Sequence, residues 1–173
     1  MIRTAHTAEL DRATLDAARA LLELVFAGEL TDDDWEHSLG GIHALAYHDG
    51  TLVGHAALVQ RRLIYKQRAL RAGYVEGVGV HPDHRRRGHA NTLMAALERY
   101  VDAGYEIGAL GASDEAVPLY EGRGWRRWEG PLYALTPTGR VRTPEEEGAV
   151  FVRARDVDLT EALTCGWRDG DVW

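Results

Sequence analysis

One stretch restricts the fold of this chain more than any other: Tyr74 to Val101, which reads YVEGVGVHPDHRRRGHANTLMAALERYV. Val75, Val78 and Val80 favour an extended chain, and Pro82 cannot continue a hydrogen-bond ladder, so a strand ends before it. From Ala90 onward, apolar Ala90, Leu93, Leu97, Tyr100 and Val101 recur at helical spacing, with Gly104 as a stop. Between strand and helix lies Arg85-Arg86-Arg87-Gly88-His89-Ala90. A loop entering a helix N-terminus offers unpaired N–H groups and the positive end of the helix dipole, and three arginines add to it. Such a loop is built to cradle a pyrophosphate. It is not a P-loop, which needs Lys and Ser/Thr after its last glycine, nor a dinucleotide fingerprint, which needs three glycines.

With 173 residues the chain fits one domain, 1–173, with a full core. No apolar N-terminal segment and no run of about 20 apolar residues is present, which predicts a soluble, cytoplasmic protein without a membrane partner. Cys165 is the only cysteine, which excludes an intramolecular disulfide and argues against a thiolate metal site; the histidines show no ligand spacing, so no metal is expected. A net charge of −7 argues against nucleic-acid binding and permits a cationic partner.

Along the chain, Ile2 to Thr7 reads as a strand and Leu10 to Phe26 as an amphipathic helix stopped by Gly28. Thr31 is placed as N-cap of a short second helix with Asp32, Asp33 and Asp34 in its first turn. His43 to Tyr47 and Leu52 to Tyr65 flank the turn signal Asp49-Gly50, which predicts a hairpin, and Leu70 to Val80 returns as a third strand. Glu106 to Ala112 predicts a strand, Glu115 to Gly124 a helix with Pro118 in its first turn, and Trp125 to Trp128 and Val150 to Arg155 closing strands. Pro131, Pro137, Gly139, Pro144 and Gly148 mark irregular chain between them. The fold class is α+β, with a mixed sheet.

The loop pattern Arg85-x-x-Gly88-x-Ala90 resembles the acetyl-coenzyme A loop of the GNAT (GCN5-related N-acetyltransferase) superfamily. Ala116-x-x-Leu119-Tyr120-Glu121-x-x-Gly124-Trp125 resembles its second signature. Further stretches are similar to the aminoglycoside 2′-N-acetyltransferases: Asp34-Trp35-Glu36-His37, Gln60 to Tyr65, Tyr74 to Val78, Arg142 to Gly148, and the terminal Gly170-Asp171-Val172-Trp173. The resemblance covers nearly the whole chain. It implies a GNAT fold with a mostly antiparallel sheet flanked by helices, acetyl-coenzyme A as cosubstrate and an aminoglycoside as acceptor. It further implies acetylation of the 2′-amine, antibiotic resistance, and, since such enzymes are often dimers, a homodimer.

Acetyl transfer from a thioester needs an unprotonated amine, a polarised carbonyl and a proton for the departing thiolate. Gly77 and Gly79 alternate with Val78 and Val80, so a bulge here would free a backbone N–H for the carbonyl, unless the glycines serve close packing. Val78, Gly79 and Val80, with Arg85, Arg86, Arg87, Gly88, His89 and Ala90, form the candidate cofactor site. Glu76, the one carboxylate inside an apolar strand, is the candidate general base, or else half of a buried ion pair. The resemblance assigns Tyr120 as the acid for the thiolate, although at a helical inner position a tyrosine also serves as core. Cys165 lies far from both signatures, which favours direct transfer over an acyl-cysteine. For the acceptor, the resemblance points to Asp34, Glu76, Glu146, Asp171 and the Trp173 carboxylate, with Glu29 a further candidate. At Gly111 family members offer a hydroxyl, leaving Ser113 as the nearest substitute. Two other functions fit the same residues: acetylation of another amine, such as a cell-wall sugar or polyamine, and a non-catalytic sensor of coenzyme A or a cationic ligand.

Overall fold

The computed structural model describes all residues, 1–173, and its internal contacts divide the chain into two compact units, 1–59 with 75–100 and 60–74 with 101–173. No helix is long and apolar enough to cross a membrane.

In the first unit, β1 (Ile2–His6) pairs antiparallel with β2 (Ile42–His48), and β2 with β3 (Thr51–Tyr65). The predicted hairpin forms because Asp49 and Gly50 both take positive φ, 47° and 79°, the turn whose twist matches the flanking strands. Helix α1 (Arg12–Val25) starts where the Asp11 carboxylate accepts the Thr14 N–H at 2.8 Å. It packs Ala18 and Leu22 with Ala5, Leu10, Trp35 and Leu45. Helix α2 (Asp32–His37) opens on a capping box: Thr31 Oγ1 accepts the Asp34 N–H at 3.1 Å, and Asp34 Oδ2 accepts the Thr31 N–H at 2.9 Å.

Strand β4 (Arg68–Val80) carries the first unit's central segment, and α3 (His89–Gly104) follows the arginine loop. Leu93 and Leu97 are fully buried on the predicted face, each burial contributing roughly 2 kcal/mol. Tyr100, expected inside, is 37% exposed with its hydroxyl 3.2 Å from Thr4 Oγ1, while Met94 takes an inner position. Helix α1 meets β4 where the strand has no side chain, because a Cβ on Gly79 would stand 2.9 Å from Leu22 Cδ2.

In the second unit the remaining elements are β5 (Ile107–Gly111), α4 (Val117–Glu121), β6 (Arg126–Arg127), β7 (Leu132–Thr136), β8 (Gly139–Arg142), β9 (Val150–Arg153) and β10 (Leu163–Gly166). The hydrogen-bonded order is β6-β9-β5-β4-β3-β10-β7-β8, with β10 parallel to β7 and antiparallel to β3. The sheet is therefore mixed, as expected. Two expectations are corrected and one strand is added. The chain between Trp128 and Val150 is not irregular: β7 and β8 form a hairpin there, and Pro137 and Gly139 sit at its turn rather than interrupting a strand. The signature helix is shorter than Glu115 to Gly124, because Pro118 confines its start to Val117. Finally, Leu163–Gly166 is a buried strand that no alternation announced.

Candidate active site

Strand β4 is distorted at the site. Gly77 has φ +54°, and a Cβ there would stand 2.8 Å from Ser38 Oγ and 3.1 Å from Leu22 Cδ1, so only glycine fits both the conformation and the space. The Gly77 carbonyl accepts from His55 Nδ1 at 2.8 Å. Glu76, one residue before this kink, is half-buried, as are Gly77, Val78 and Val80, while Gly79 is buried.

Beyond β4, a single 3-10 turn, Pro82–His84, delivers the chain to the loop. Arg85 Nε donates to the Val80 carbonyl at 3.2 Å, Arg86 takes φ +59° and Gly88 φ +80°. Thr92 donates to the Gly88 carbonyl from both its backbone N–H and its hydroxyl, at 3.0 Å each, which fixes the loop to the first turn of α3. Arg85, Arg86, Arg87 and Gly88 are exposed, His89 and Ala90 half-buried, and nothing stands within 4 Å of where a Gly88 Cβ would project. Left-handed residues beside a helix start form an open, cationic nest whose chemistry suits a pyrophosphate. His81, His84 and His89, neighbours in sequence, are joined by His48 in a ring cluster: His84 lies 5.0 Å from His48, 5.7 Å from His81 and 6.3 Å from His89 between ring centroids.

The acceptor candidates of the first unit differ. The Asp34 carboxylate is half-buried and bound through one oxygen by the capping box, and Glu29 is exposed in the turn after α1.

The second unit holds the rest. Tyr120 is buried on α4, 6.4 Å from the Trp125 ring and 6.5 Å from Phe151, and burial pushes its phenol up to about 12. It is therefore a proton donor at any working pH. Ser113 is exposed after β5. Of the acidic run, Glu147 is spent on Arg142, which donates to it at 2.9 and 3.2 Å, whereas Glu146 is half-buried. Burial, then the charges of Asp171 and Glu145, raise the Glu146 carboxyl above its ordinary value. Desolvation and like charge both disfavour the Glu146 anion, a condition that a cation relieves.

The terminal segment is fixed by arginines. Arg61 Nη2 donates to the Val172 carbonyl at 2.6 Å, Arg168 Nη2 to the Trp173 backbone oxygen at 2.7 Å, and Asp171 Oδ1 accepts the Trp173 N–H at 3.0 Å. Cys165 is buried in β10, and burial raises its thiol despite the nearby Arg61 and Arg168, so it is a poor nucleophile.

Comparison with known proteins places the chain. Residues 6–128 match the family model of the acetyltransferase (GNAT) domain. An aminoglycoside 2′-N-acetyltransferase of Mycolicibacterium fortuitum is 47% identical over 177 aligned residues, covering 99% of this chain and 91% of the relative. The chain is a GNAT-superfamily acetyltransferase of the aminoglycoside 2′-N-acetyltransferase family. Its donor is the acetyl-coenzyme A that GNAT acetyltransferases use. A mycothiol acetyltransferase of Kineococcus radiotolerans is 35% identical over 92 residues, of which this GNAT chain covers only 27% of the relative's length. Among solved structures, a GNAT N-acetyltransferase (YhbS) of Escherichia coli in complex with CoA has a TM-score of 0.64 at 18% identity, covering 95% of this chain and 88% of that one, and shows the same fold.

Proposed function

We propose that this acetyltransferase moves the acetyl group of acetyl-coenzyme A to the 2′-amine of aminoglycosides, by direct transfer, and so confers resistance to them. The observation that carries the acceptor's chemistry is the half-buried Glu146, whose carboxyl is raised by burial and then by the charges of Asp171 and Glu145, since an aminoglycoside brings several ammonium groups that need carboxylates in a partly desolvated site. The 47% identity to a relative bearing that name supports the regiochemistry.

Acetyl-coenzyme A supplies an activated thioester. Arg85, Arg86 and Arg87, with the backbone of Gly88, His89 and Ala90, hold its pyrophosphate. Val78, Gly79 and Val80 line the extended arm, and the Val78 N–H is the donor for the carbonyl oxygen. Glu76 takes a proton from the acceptor's 2′-ammonium, through water, to free the amine that attacks the thioester, and Tyr120, kept protonated by burial, supplies one to the departing thiolate. Asp34, Glu146, Asp171 and the Trp173 carboxylate bind acceptor ammonium groups, with Ser113 and the exposed Glu29 as outer contacts, and the Trp173 N–H holds the Asp171 carboxylate in position. Binding both substrates together contributes the orientation term. The raised Cys165 thiol leaves the acyl-cysteine route without a nucleophile.

The deciding assay is thiol release from acetyl-coenzyme A with drugs bearing a 2′-amine or a 2′-hydroxyl. Release restricted to 2′-amines supports both chemistry and position; release with both discards the position, and release with neither, but with another amine, moves the acceptor.

A further inference from the structure

Behind the kink in β4 lies a buried polar chain that the mechanism above does not use. Thr7 Oγ1 stands 2.8 Å from His43 Nε2, His43 Nδ1 stands 2.9 Å from His55 Nε2, and His55 Nδ1 stands 2.8 Å from the Gly77 carbonyl oxygen. Both imidazoles are fully buried, with Trp35 beside the His55 ring at 6.1 Å. Burial lowers both histidines to about 4, so each is neutral and carries a single ring proton.

The proton positions then follow by elimination. A carbonyl oxygen only accepts, so His55 Nδ1 carries hydrogen. Neutral His55 therefore accepts at Nε2, which puts the His43 hydrogen on Nδ1 and makes His43 Nε2 an acceptor for the Thr7 hydroxyl. Thr7 Oγ1 in turn accepts the Gly40 N–H at 2.9 Å. The Thr7 hydroxyl also lies 3.3 Å from the Gly41 carbonyl, but its shorter contact is to His43, so the donors of the chain run toward Gly77 and each bond polarises the next.

The receiving end is the Gly77–Val78 peptide. In a trans peptide the C=O and the following N–H point in opposite directions, and no cis peptide occurs in the chain. Seizing the Gly77 oxygen from inside therefore aims the Val78 N–H the other way, and pulling electron density toward that oxygen makes the N–H more acidic. We infer that His55, backed by His43 and Thr7, is a positioning residue for acetyl transfer: it holds and polarises the Gly77–Val78 peptide so that the Val78 N–H meets the thioester carbonyl oxygen. The inference rests on the carbonyl-donor role proposed above for Val78. Retaining two histidines in an apolar core is costly unless the chain they form has a use, and a strand needing only a packed bulge could have closed this space with leucine.

The test combines kinetics with a spectroscopic readout. His55→Leu removes the donor, while His55→Asn keeps an amide N–H near the place of Nδ1–H. His55→Leu is expected to lower kcat about tenfold or more with both KM values within about twofold, and His55→Asn to recover most of that loss. Equal losses in the two variants, or a loss confined to KM, overturn the inference. Should His55→Leu not fold, Thr7→Val reports from the far end: it is expected to lower kcat about two- to threefold and to shift the Val78 amide proton upfield. An unmoved Val78 amide overturns the polarisation whatever the activity. In the wild-type protein, 15N spectra of labelled histidine are expected to show His43 and His55 as neutral Nδ1–H tautomers that do not titrate between pH 5.5 and 8, and Nε2–H tautomers would refute the chain. Absence of turnover with every aminoglycoside would instead remove the proposed acceptor, leaving the tautomers and the Val78 shift to decide this inference alone.

Discussion

The Trp173 indole Nε1 donates to Thr143 Oγ1 at 2.9 Å, with both residues buried. Thr143 directly precedes the turn that carries Glu146, and Trp173 follows Asp171 by two residues, so one hydrogen bond ties together the segments bearing Glu146 and Asp171. Trp173→Phe keeps most of the ring and deletes the donor. It should cost about 1 kcal/mol of stability and raise the acceptor KM about three- to tenfold, with the acetyl-coenzyme A KM unchanged. Steady-state kinetics with each substrate varied checks this, and equal changes in both constants would point to a folding defect.

Glu146 supplies a test with opposite signs in two assays. Its carboxyl is raised in the folded protein, so the stability linked to its protonation is present at low pH and lost as pH rises through the folded-state value, leaving charged Glu146 destabilising at neutral pH. Glu146→Gln should therefore raise Tm slightly at pH 7.5 while weakening acceptor binding. A lower Tm, or an unchanged acceptor KM, would remove Glu146 from the proposed site.

Tyr120 is buried with its phenol pushed up to about 12, so it remains a proton donor well above neutral pH. Tyr120→Phe should reduce kcat about a hundredfold with little change in either KM, and the wild-type profile should show no alkaline fall due to this group below about pH 10. Full activity of the variant would leave Tyr120 a core residue only.

The two strand glycines should separate in severity. Gly77→Ala forces φ +54° on alanine and places Cβ 2.8 Å from Ser38 Oγ, a combined cost of about 2 kcal/mol or more. Gly79→Ala, at ordinary φ, meets the end of the Leu22 side chain at 2.9 Å, which can turn away, and the Val25 methyls at 3.3 and 3.4 Å, which need give only slightly, and should cost about 1 kcal/mol. Urea denaturation of both variants checks the order; equal destabilisation would refute the bulge as the special position.

Stability should also fall in acid through His43 and His55. Their folded values of about 4 lie below the ordinary 6.5, so unfolding takes up protons between these limits. The stability they contribute is complete above pH 6.5 and is lost as pH falls from 6.5 toward 4, by an amount on the order of a few kcal/mol. Denaturation curves at pH 7.5, 6 and 5 test this, and identical unfolding free energies would show that one or both rings are already charged in the folded state.

What the sequence determined by itself is local. The β4, arginine-loop and α3 succession, the caps at Asp11 and Thr31 and the Asp49-Gly50 turn each depend on residues a few positions apart, whose spacing and backbone preferences are readable without the rest of the chain. The two signatures pointed to the loop and Tyr120 for the same reason, and Glu76 stood out as the one carboxylate inside an apolar strand. Tertiary structure decided whatever depends on partners distant in sequence. Leu163–Gly166 becomes a strand only because β3 and β7 flank it, and Pro137 proves to be a turn residue only once β8 pairs back on β7. Scattered His43, His55 and Thr7 gave no spacing to read, since hydrogen bonds from β1's end across two strands to Gly77 exist only in the folded sheet. The same holds for the choice among the acids: Glu147 and Glu146 are adjacent and chemically alike, and folding pairs one with Arg142 while half-burying the other beside a like charge.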